Sequence, residues 1–261
     1  MLGNLSRFDI KTYERFLIFL KKRYRIIPFR RFSANCSSFL ILRHDVEMSL
    51  KVALEMATLE RALGISSTYF FHLSNHFYNL NNPDDLSLLR RISAMGHEIG
   101  IHYDIERYRS YNRPLRQTFL TEARTLGQLV GHKVRSCALH NRSLCRSDPM
   151  VRIPGYLNAY SFNREYNVFY VSDSCRAWHI SDAHTLIAQK PPRVQLLIHP
   201  FHWIPEATDR YSQLDRLFEY FERRYRKYKH EWKDLWRSVP HVRQYDKEIR
   251  SRRALLNFSY D

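Results

Sequence analysis

Two short stretches of this 261-residue chain gather the residue types from which hydrolytic sites are built. One is Leu42-Arg43-His44-Asp45-Val46-Glu47 and the other Gly96-His97-Glu98-Ile99-Gly100-Ile101-His102-Tyr103-Asp104. Each reads as a β-strand that carries carboxylates and imidazoles to its C-terminal end, where open α/β sheets and β/α barrels keep their chemistry. Strand alternation puts Asp45 and Glu47 on one face. Two carboxylates held that close repel. A cation on one relieves the repulsion and leaves the other to act as a base. Two later apolar runs end at His140 and His199, so four strand ends offer Asp45/Glu47, His102/Asp104, His140 and His199 to one cleft. Carboxylate and imidazole on one rim predict a divalent metal with an acid/base pair beside it.

Plainer roles compete for these residues. Asp45 and Glu47 precede Ser49, and acids there also suit the opening of a helix. Alternation turns His44 away from Asp45, which makes it a packing residue, and His97 starts its strand at the end remote from the site. Arg43 either pairs with a carboxylate below the site or anchors an acidic group of the substrate. His202 and Trp203 read as wall residues. His72 and His76 are four apart, but they follow a strand, where that spacing has no ligating meaning. They are set aside as incidental in a chain with 13 histidines.

Elements that could hold such a site alternate along the chain. Helical spacing predicts helices over 9–23, 49–63, 84–95 and 114–130, the later three stopped by Gly64, Gly96 and Gly131. Strands are predicted over 38–42, 68–71, 98–103, 134–139, 168–171 and 194–198. Strand-helix alternation of this kind makes a parallel β/α architecture. A long helix is predicted from 207 to 236, with Leu214, Leu217, Phe218, Phe221 and Tyr225 on one side. It turns basic and aromatic, with Tyr220, Tyr228, Trp232 and Trp236, and the remainder to 261 is charged and weakly patterned. The division expected is 1–206 for the barrel with its N-terminal helix and 207–261 for a helical extension packed on it.

Composition narrows the class. One β/α barrel can use the whole length. The net charge of +16 calls for an acidic partner: nucleic acid, an anionic membrane surface, or a phosphorylated or carboxylated substrate. The basic residues are dispersed and no recognised nucleic-acid module is present, so nucleic acid is not the expected partner. No apolar run approaches the length of a membrane span, and the first residues lack the order of a secretory signal, so a cytoplasmic protein is expected. The four cysteines, Cys36, Cys137, Cys145 and Cys175, contain no Cys-x-x-Cys pair and read as buried thiols.

Over residues 38–205 the order and spacing of the motifs resemble the polysaccharide deacetylase superfamily, the NodB-like carbohydrate esterases. The likeness lies in the Arg43-His44-Asp45-Val46-Glu47 strand end, Gly96-His97-Glu98-Ile99-Gly100-x-His102, Val171-Ser172-Asp173-Ser174 with Trp178, and Leu196-Leu197-Ile198-His199-Pro200. The resemblance implies a distorted β/α barrel and a metal-dependent hydrolase that removes an acyl group, acetyl or formyl, from an amino sugar. It implies Asp45 as general base and His199 as general acid, with Glu47 and His102 on the metal. Asp173 is expected to orient active-site partners, Trp178 to form an aromatic wall, and Arg43 and Asn141 to orient substrate. The family's second metal histidine falls on Glu106, so His140 is taken as the substitute third ligand. Asp104 and Glu106 are further candidates, as ligands or as acceptors behind them. Zinc is the expected metal. With no secretion signal and a basic surface, the expected setting is surface-polysaccharide or lipopolysaccharide assembly, on a nucleotide- or lipid-linked glycan, with peripheral membrane contact through the basic helix. The rival expectation is a non-catalytic carbohydrate-binding or scaffolding relative that has lost the full metal set.

Overall fold

A computed structural model describes residues 7–73, 75–140, 153–204 and 207–240, together with 243–244 and 247–248. In chain order it contains α1 (Ile10–Lys21), β1 (Ile26–Ile27), β2 (Phe39–Val46), α2 (Leu50–Ala62), β3 (Thr68–Phe71), α3 (Pro83–Ala94), β4 (Glu98–Tyr103) and α4 (Ile105–Ser110). There follow α5 (Leu115–Val130), β5 (Ser136–Leu139), β6 (Leu157–Asn158), α6 (Ala159–Glu165), β7 (Phe169–Ser172), α7 (Ile180–His184), β8 (Arg193–Ile198) and α8 (Arg210–Ser238).

The strands form one eight-stranded sheet in the order β6-β5-β4-β3-β2-β8-β7, with β1 added on β2. Every ladder is parallel. Among the described residues no ladder joins β6 to β7, so the architecture is a distorted, open β/α barrel. Its helices are stopped and started by local chemistry. Ser49 caps α2 by accepting from Val52 N–H at 3.3 Å, so the cap is the hydroxyl and not Asp45 or Glu47. Asn82 caps α3 ahead of Pro83, and Gly131, at φ 80°, ends α5 in the left-handed region.

The core has three parts. One lies around α2, α3, α5 and the sheet, with Leu54, Leu89, Ile101, Phe119 and Leu126. A second joins α1 to β2 and β8 through Tyr13, Leu17, Leu42, Leu196 and Trp203. The third, with Phe29, Phe39, Ile41, Phe70 and Phe162, includes residues of β2 and β3 that alternate with those of the other two. Strand β2 is therefore buried along its whole length, as a central parallel strand must be. Gly100 of β4 faces Phe70 of β3 in register, and a Cβ there would stand 2.3 Å from the Phe70 ring. Only glycine fits under that ring.

The sequence-predicted elements agree in type and order and shift at their ends. Strand β2 continues four residues past 42, through Arg43-His44-Asp45-Val46, because those side chains are buried and laddered to β3 and β8. Periodicity had no purchase on β1, β6, α4, α6 and α7, which span two to seven residues each. Contacts divide the chain into two units, Met1–Gln213 and Leu214–Asp261. In α8 the expected single apolar side is two faces: Leu217 and Phe221 are buried, while Phe218 and Tyr225 are exposed. Among the described residues no helix is long and apolar enough to cross a membrane. Among the described cysteines, Cys36 and Cys175 are free thiols. Only Cys137 is buried; Cys36 is half-buried and Cys175 exposed, against the expectation of burial, because Cys175 sits in a short turn after β7.

Candidate active site

Register brings the site together. Val46 of β2, Phe71 of β3 and Ile101 of β4 lie side by side across their ladders. One residue further on, at the same height, stand Glu47, His72 and His102. His44 is level with Ile198, which brings Asp45 level with His199 at the end of β8. His102 pairs with Ala138, so His140 rises two residues above it at the end of β5.

Three imidazoles result that can share one ion. The ligating atoms of His72, His102 and His140 lie within 4.8 Å of one another. His102 Nδ1–H donates to the Ala138 carbonyl at 3.2 Å, which leaves the Nε2 lone pair directed into the cluster. That Nε2 is buried and has no hydrogen-bond partner. Glu47 Oε1 stands 3.5 Å from His102 Nε2 and 3.4 Å from His140 Nε2, and Asp45 Oδ2 3.6 Å from His102 Nε2. Burial, with the charges of His102 and His140 beside it, pushes His72 well below its usual proton affinity. It is thus held as the neutral imidazole that ligates metals. A buried imidazole nitrogen without a hydrogen-bond partner, a neighbouring imidazole held neutral and an adjacent carboxylate fit a borderline divalent cation such as zinc. His72, set aside on sequence, belongs to this cluster. The signal that points to it is the one used for the other ligands, its place directly after a strand.

Asp45 lies on the β2 side of the cluster. Burial alone would raise its carboxyl. The Arg43 guanidinium, which donates to both carboxylate oxygens at 2.8 and 2.7 Å, together with His102 and His199, holds it well below the usual range. Arg43 is itself fully buried, donates to Gln195 Oε1 at 3.2 Å and lies over the Tyr160 ring at 4.5 Å. Its guanidinium is thus engaged with Asp45. Glu47 is also lowered: burial opposes ionisation, and His102, His199 and His140 outweigh it.

On the β8 side His199 Nδ1 donates to Asp173 Oδ1 at 2.7 Å, and its backbone N–H also reaches that carboxylate. Its Nε2 is 3.9 Å from Glu47. Burial opposes its charged form, but Asp173 more than compensates and raises its pKa to about 9. Asp173 is buried, accepts from Trp203 Nε1 at 2.9 Å and has His202 Nδ1 at 3.6 Å. Trp203 and His202 are thus supports beneath Asp173, both buried, and not the cleft walls expected of them. Trp178 also lies away from the expected wall: it packs with Phe8, Phe16 and Trp203 beside α1.

The remaining expected residues separate. Asp104 caps α4 through Arg107 N–H and stands 3.5 Å from His140 Nδ1, behind a ligand candidate rather than in front of it. Glu106, on the next turn, pairs with Arg109 at 2.9 Å and is not among the clustered groups. A helix begins at Ile105, and its turn carries Glu106 off the line of the strand. Asn141 lies outside the described residues. His44 and His97 lie on the far side of β2 and β4, where both meet the buried Glu60, at 2.7 and 3.5 Å. A cleft of about 400 Å³ opens over the cluster, lined by Glu47, His72, His140, Asp104, Arg107 and Tyr111 among others.

No family model matches the chain, and no curated protein matches its sequence. Solved structures similar to it include a CE4 family pseudoenzyme from Bacillus anthracis, with TM-score 0.42 and 14% identity over 74% of this chain and 64% of that one. A polysaccharide deacetylase from Bacillus cereus has TM-score 0.41 and 15% identity, over 71% of this chain and 89% of that one. The chitin deacetylase from the fungal pathogen Colletotrichum lindemuthianum has TM-score 0.39 and 15% identity, over 74% and 86%. The chain spans less than two thirds of the length of the first. The likeness is one of chain course at low identity.

Proposed function

We propose that the chain is a divergent polysaccharide deacetylase, a metal-dependent hydrolase that removes an acetyl or formyl group from an amino sugar. One observation carries the reading: a carboxylate kept ionised and an imidazole kept protonated flank the same histidine cluster from neighbouring strands. A base and an acid poised apart in this way are what amide hydrolysis requires.

His72, His102 and His140, with Glu47 beside them, would hold the metal, zinc in this reading. When bound it would polarise the acyl carbonyl and make water acidic enough to react near neutral pH. The chain's own groups do the rest. Asp45 Oδ2, on the cluster side, accepts the proton of the attacking water, while Arg43 fixes both carboxylate oxygens so that the group does not rotate away. His199 Nε2 carries the proton that the leaving amine needs, and its Nδ1–H bond to Asp173 keeps the ring oriented and charged at neutral pH. The cleft then takes the sugar. An acylated amino sugar within a nucleotide- or lipid-linked glycan of surface-polysaccharide assembly suits the strongly basic chain, and a cytoplasmic enzyme suits that role.

The test is metal content by mass spectrometry on protein purified without chelators, followed by release of acetate or formate from N-acylated amino sugars. About one equivalent of metal with release abolished in Asp45→Asn and in His199→Ala supports the reading. No metal taken up, with no turnover on any acylated amino sugar or glycan, favours the second reading, a carbohydrate-binding relative that has lost the full metal set. The observation behind that second reading is Glu106, which stands where the family has a metal histidine and pairs with Arg109 instead.

A further inference from the structure

A second set of ligand-type atoms lies beside the proposed acid. His199 follows β8 and opens the 3-10 turn Pro200–Trp203. The His202 N–H closes that turn by donating to the His199 carbonyl at 2.9 Å. Side chains three apart eclipse in a turn of this kind. His199-Pro200-Phe201-His202 therefore sets two imidazoles on one side, with ring centroids 5.1 Å apart. Both meet Asp173, which directly follows β7. One nitrogen of each ring and one carboxylate oxygen lie within 4.8 Å of one another, and all three residues are buried.

The two rings are held differently. His199 Nδ1 bonds Asp173 Oδ1 at 2.7 Å. His202 Nδ1 stands 3.6 Å from Asp173 Oδ2, beyond a hydrogen bond, and is buried with no hydrogen-bond partner. A ring nitrogen left that way costs stability unless something fills the gap. Two ligands of one tetrahedral zinc, each about 2.0–2.2 Å from the ion, stand about 3.4 Å apart. The spacing of His202 and Asp173 is thus close to the edge of such an ion. His199 Nδ1 completes the set by giving up its hydrogen and drawing back about 0.7 Å. Asp173 keeps the Trp203 Nε1–H at 2.9 Å behind it, the kind of support that ligating carboxylates have.

We propose that Asp173, His199 and His202 form a second zinc site, filled only above the concentrations that load the His72–His102–His140 cluster. It is the weaker site because the ion must displace a proton that Asp173 holds. Zinc takes the Nδ1 lone pair of His199 and the Nδ1 proton leaves to solvent. The ring keeps its Nε2 hydrogen but loses the positive charge that made it an acid. If the reaction is the one proposed above, the second ion is therefore an inhibitor; the site itself does not rest on that reading.

Equilibrium dialysis of the full chain against zinc, with the metal counted by mass spectrometry, tests it. The parent is expected to hold one ion at low zinc and two at high zinc. His72→Ala/His102→Ala should lose the first ion and keep the second, and added zinc should then remove the His199 Nδ1–H signal from its histidine NMR spectrum. His202→Phe keeps the ring packing against Phe8 and Phe201 and removes the nitrogen. It should keep the first ion and weaken the second at least about tenfold. A second ion that His202→Phe binds as well as the parent does overturns the proposal, as an ion held elsewhere. So does a double variant that takes up no zinc. A parent that binds one ion only, lost in His202→Phe and kept in the double variant, would remove the metal centre of the proposed reaction and leave this site standing.

Discussion

At the residue scale the histidine cluster and the His199–Asp173 pair make separable predictions. His72→Ala and His102→Ala should each lower metal affinity at least about tenfold, since loss of a ligand exceeds the effect of losing a group behind one. Competition against a chromophoric chelator measures it. Retention of parental affinity in His72→Ala would remove that residue from the set. His199 is predicted to titrate at about 9 in the metal-free protein, above the ordinary 6.5, because the ionised Asp173 bonds its Nδ1–H. In Asp173→Asn that stabilisation of the cation is lost and the midpoint should fall, since burial is then opposed only by the charges of Glu47 and Asp45. Histidine-selective NMR titration reads both. The same sign governs catalysis in the proposed reaction: a proton donor that empties as pH rises.

At the element scale two features hold the site-bearing strands in place. Glu60 of α2 accepts from Tyr13 of α1 at 2.6 Å, Tyr69 of β3 at 3.0 Å and Ser67 at 2.5 Å, and meets His44 of β2 at 2.7 Å. Burial opposes its charge, yet His44, His97 and Ser67 lower its pKa from 4.5 to about 2. A depressed carboxyl contributes stability that is complete above about pH 4.5 and lost as pH falls through about 2. The loss is predicted to be on the order of 3 kcal/mol. Urea unfolding at pH 5 and pH 2.5, in parent and Glu60→Gln, should show the parent's advantage shrinking toward the lower pH. A constant difference would mean that the carboxylate's charge does not matter there. Gly100→Ala tests the second feature. The new methyl meets the Phe70 ring and the Ser136 hydroxyl, at 2.3 and 2.9 Å, and should cost about 1–3 kcal/mol by overpacking. Phe70→Leu in the same chain should recover part of it. An unchanged unfolding midpoint would show that the strands separate at no cost.

At the scale of the whole molecule, a metal held by β3, β4 and β5 together binds only the folded chain. Zinc should therefore raise the unfolding temperature in proportion to the logarithm of its free concentration. Below the zinc concentrations that load Asp173, His199 and His202, the double variant His72→Ala/His102→Ala should show no such rise, by differential scanning fluorimetry. The +16 charge acts at this scale too: it draws anions toward the protein at long range without naming one.

The alternation of strand and helix and the shared face of Asp45 and Glu47 were legible in the chain because each depends on neighbours within one element, while the acid and base roles came with the resemblance. A strand's period is two and a helix's 3.6, so Asp45 with Glu47, or Leu217 with Phe221, declare themselves over a few residues. What needed the tertiary structure was everything set by register between strands. Glu47, His72 and His102 are separated by 25 and 30 residues along the chain and become level only when β2, β3 and β4 pair. That pairing admits His72, while the turn into α4 withdraws Glu106, and neither event leaves a mark in local spacing. The partner of Asp45 was of the same kind. Arg43 and Asp45 share a strand face in any register, but only closure of the sheet around them removes the water that would otherwise have solvated the guanidinium. Burial then turns an ordinary neighbour into the group that keeps the carboxylate charged.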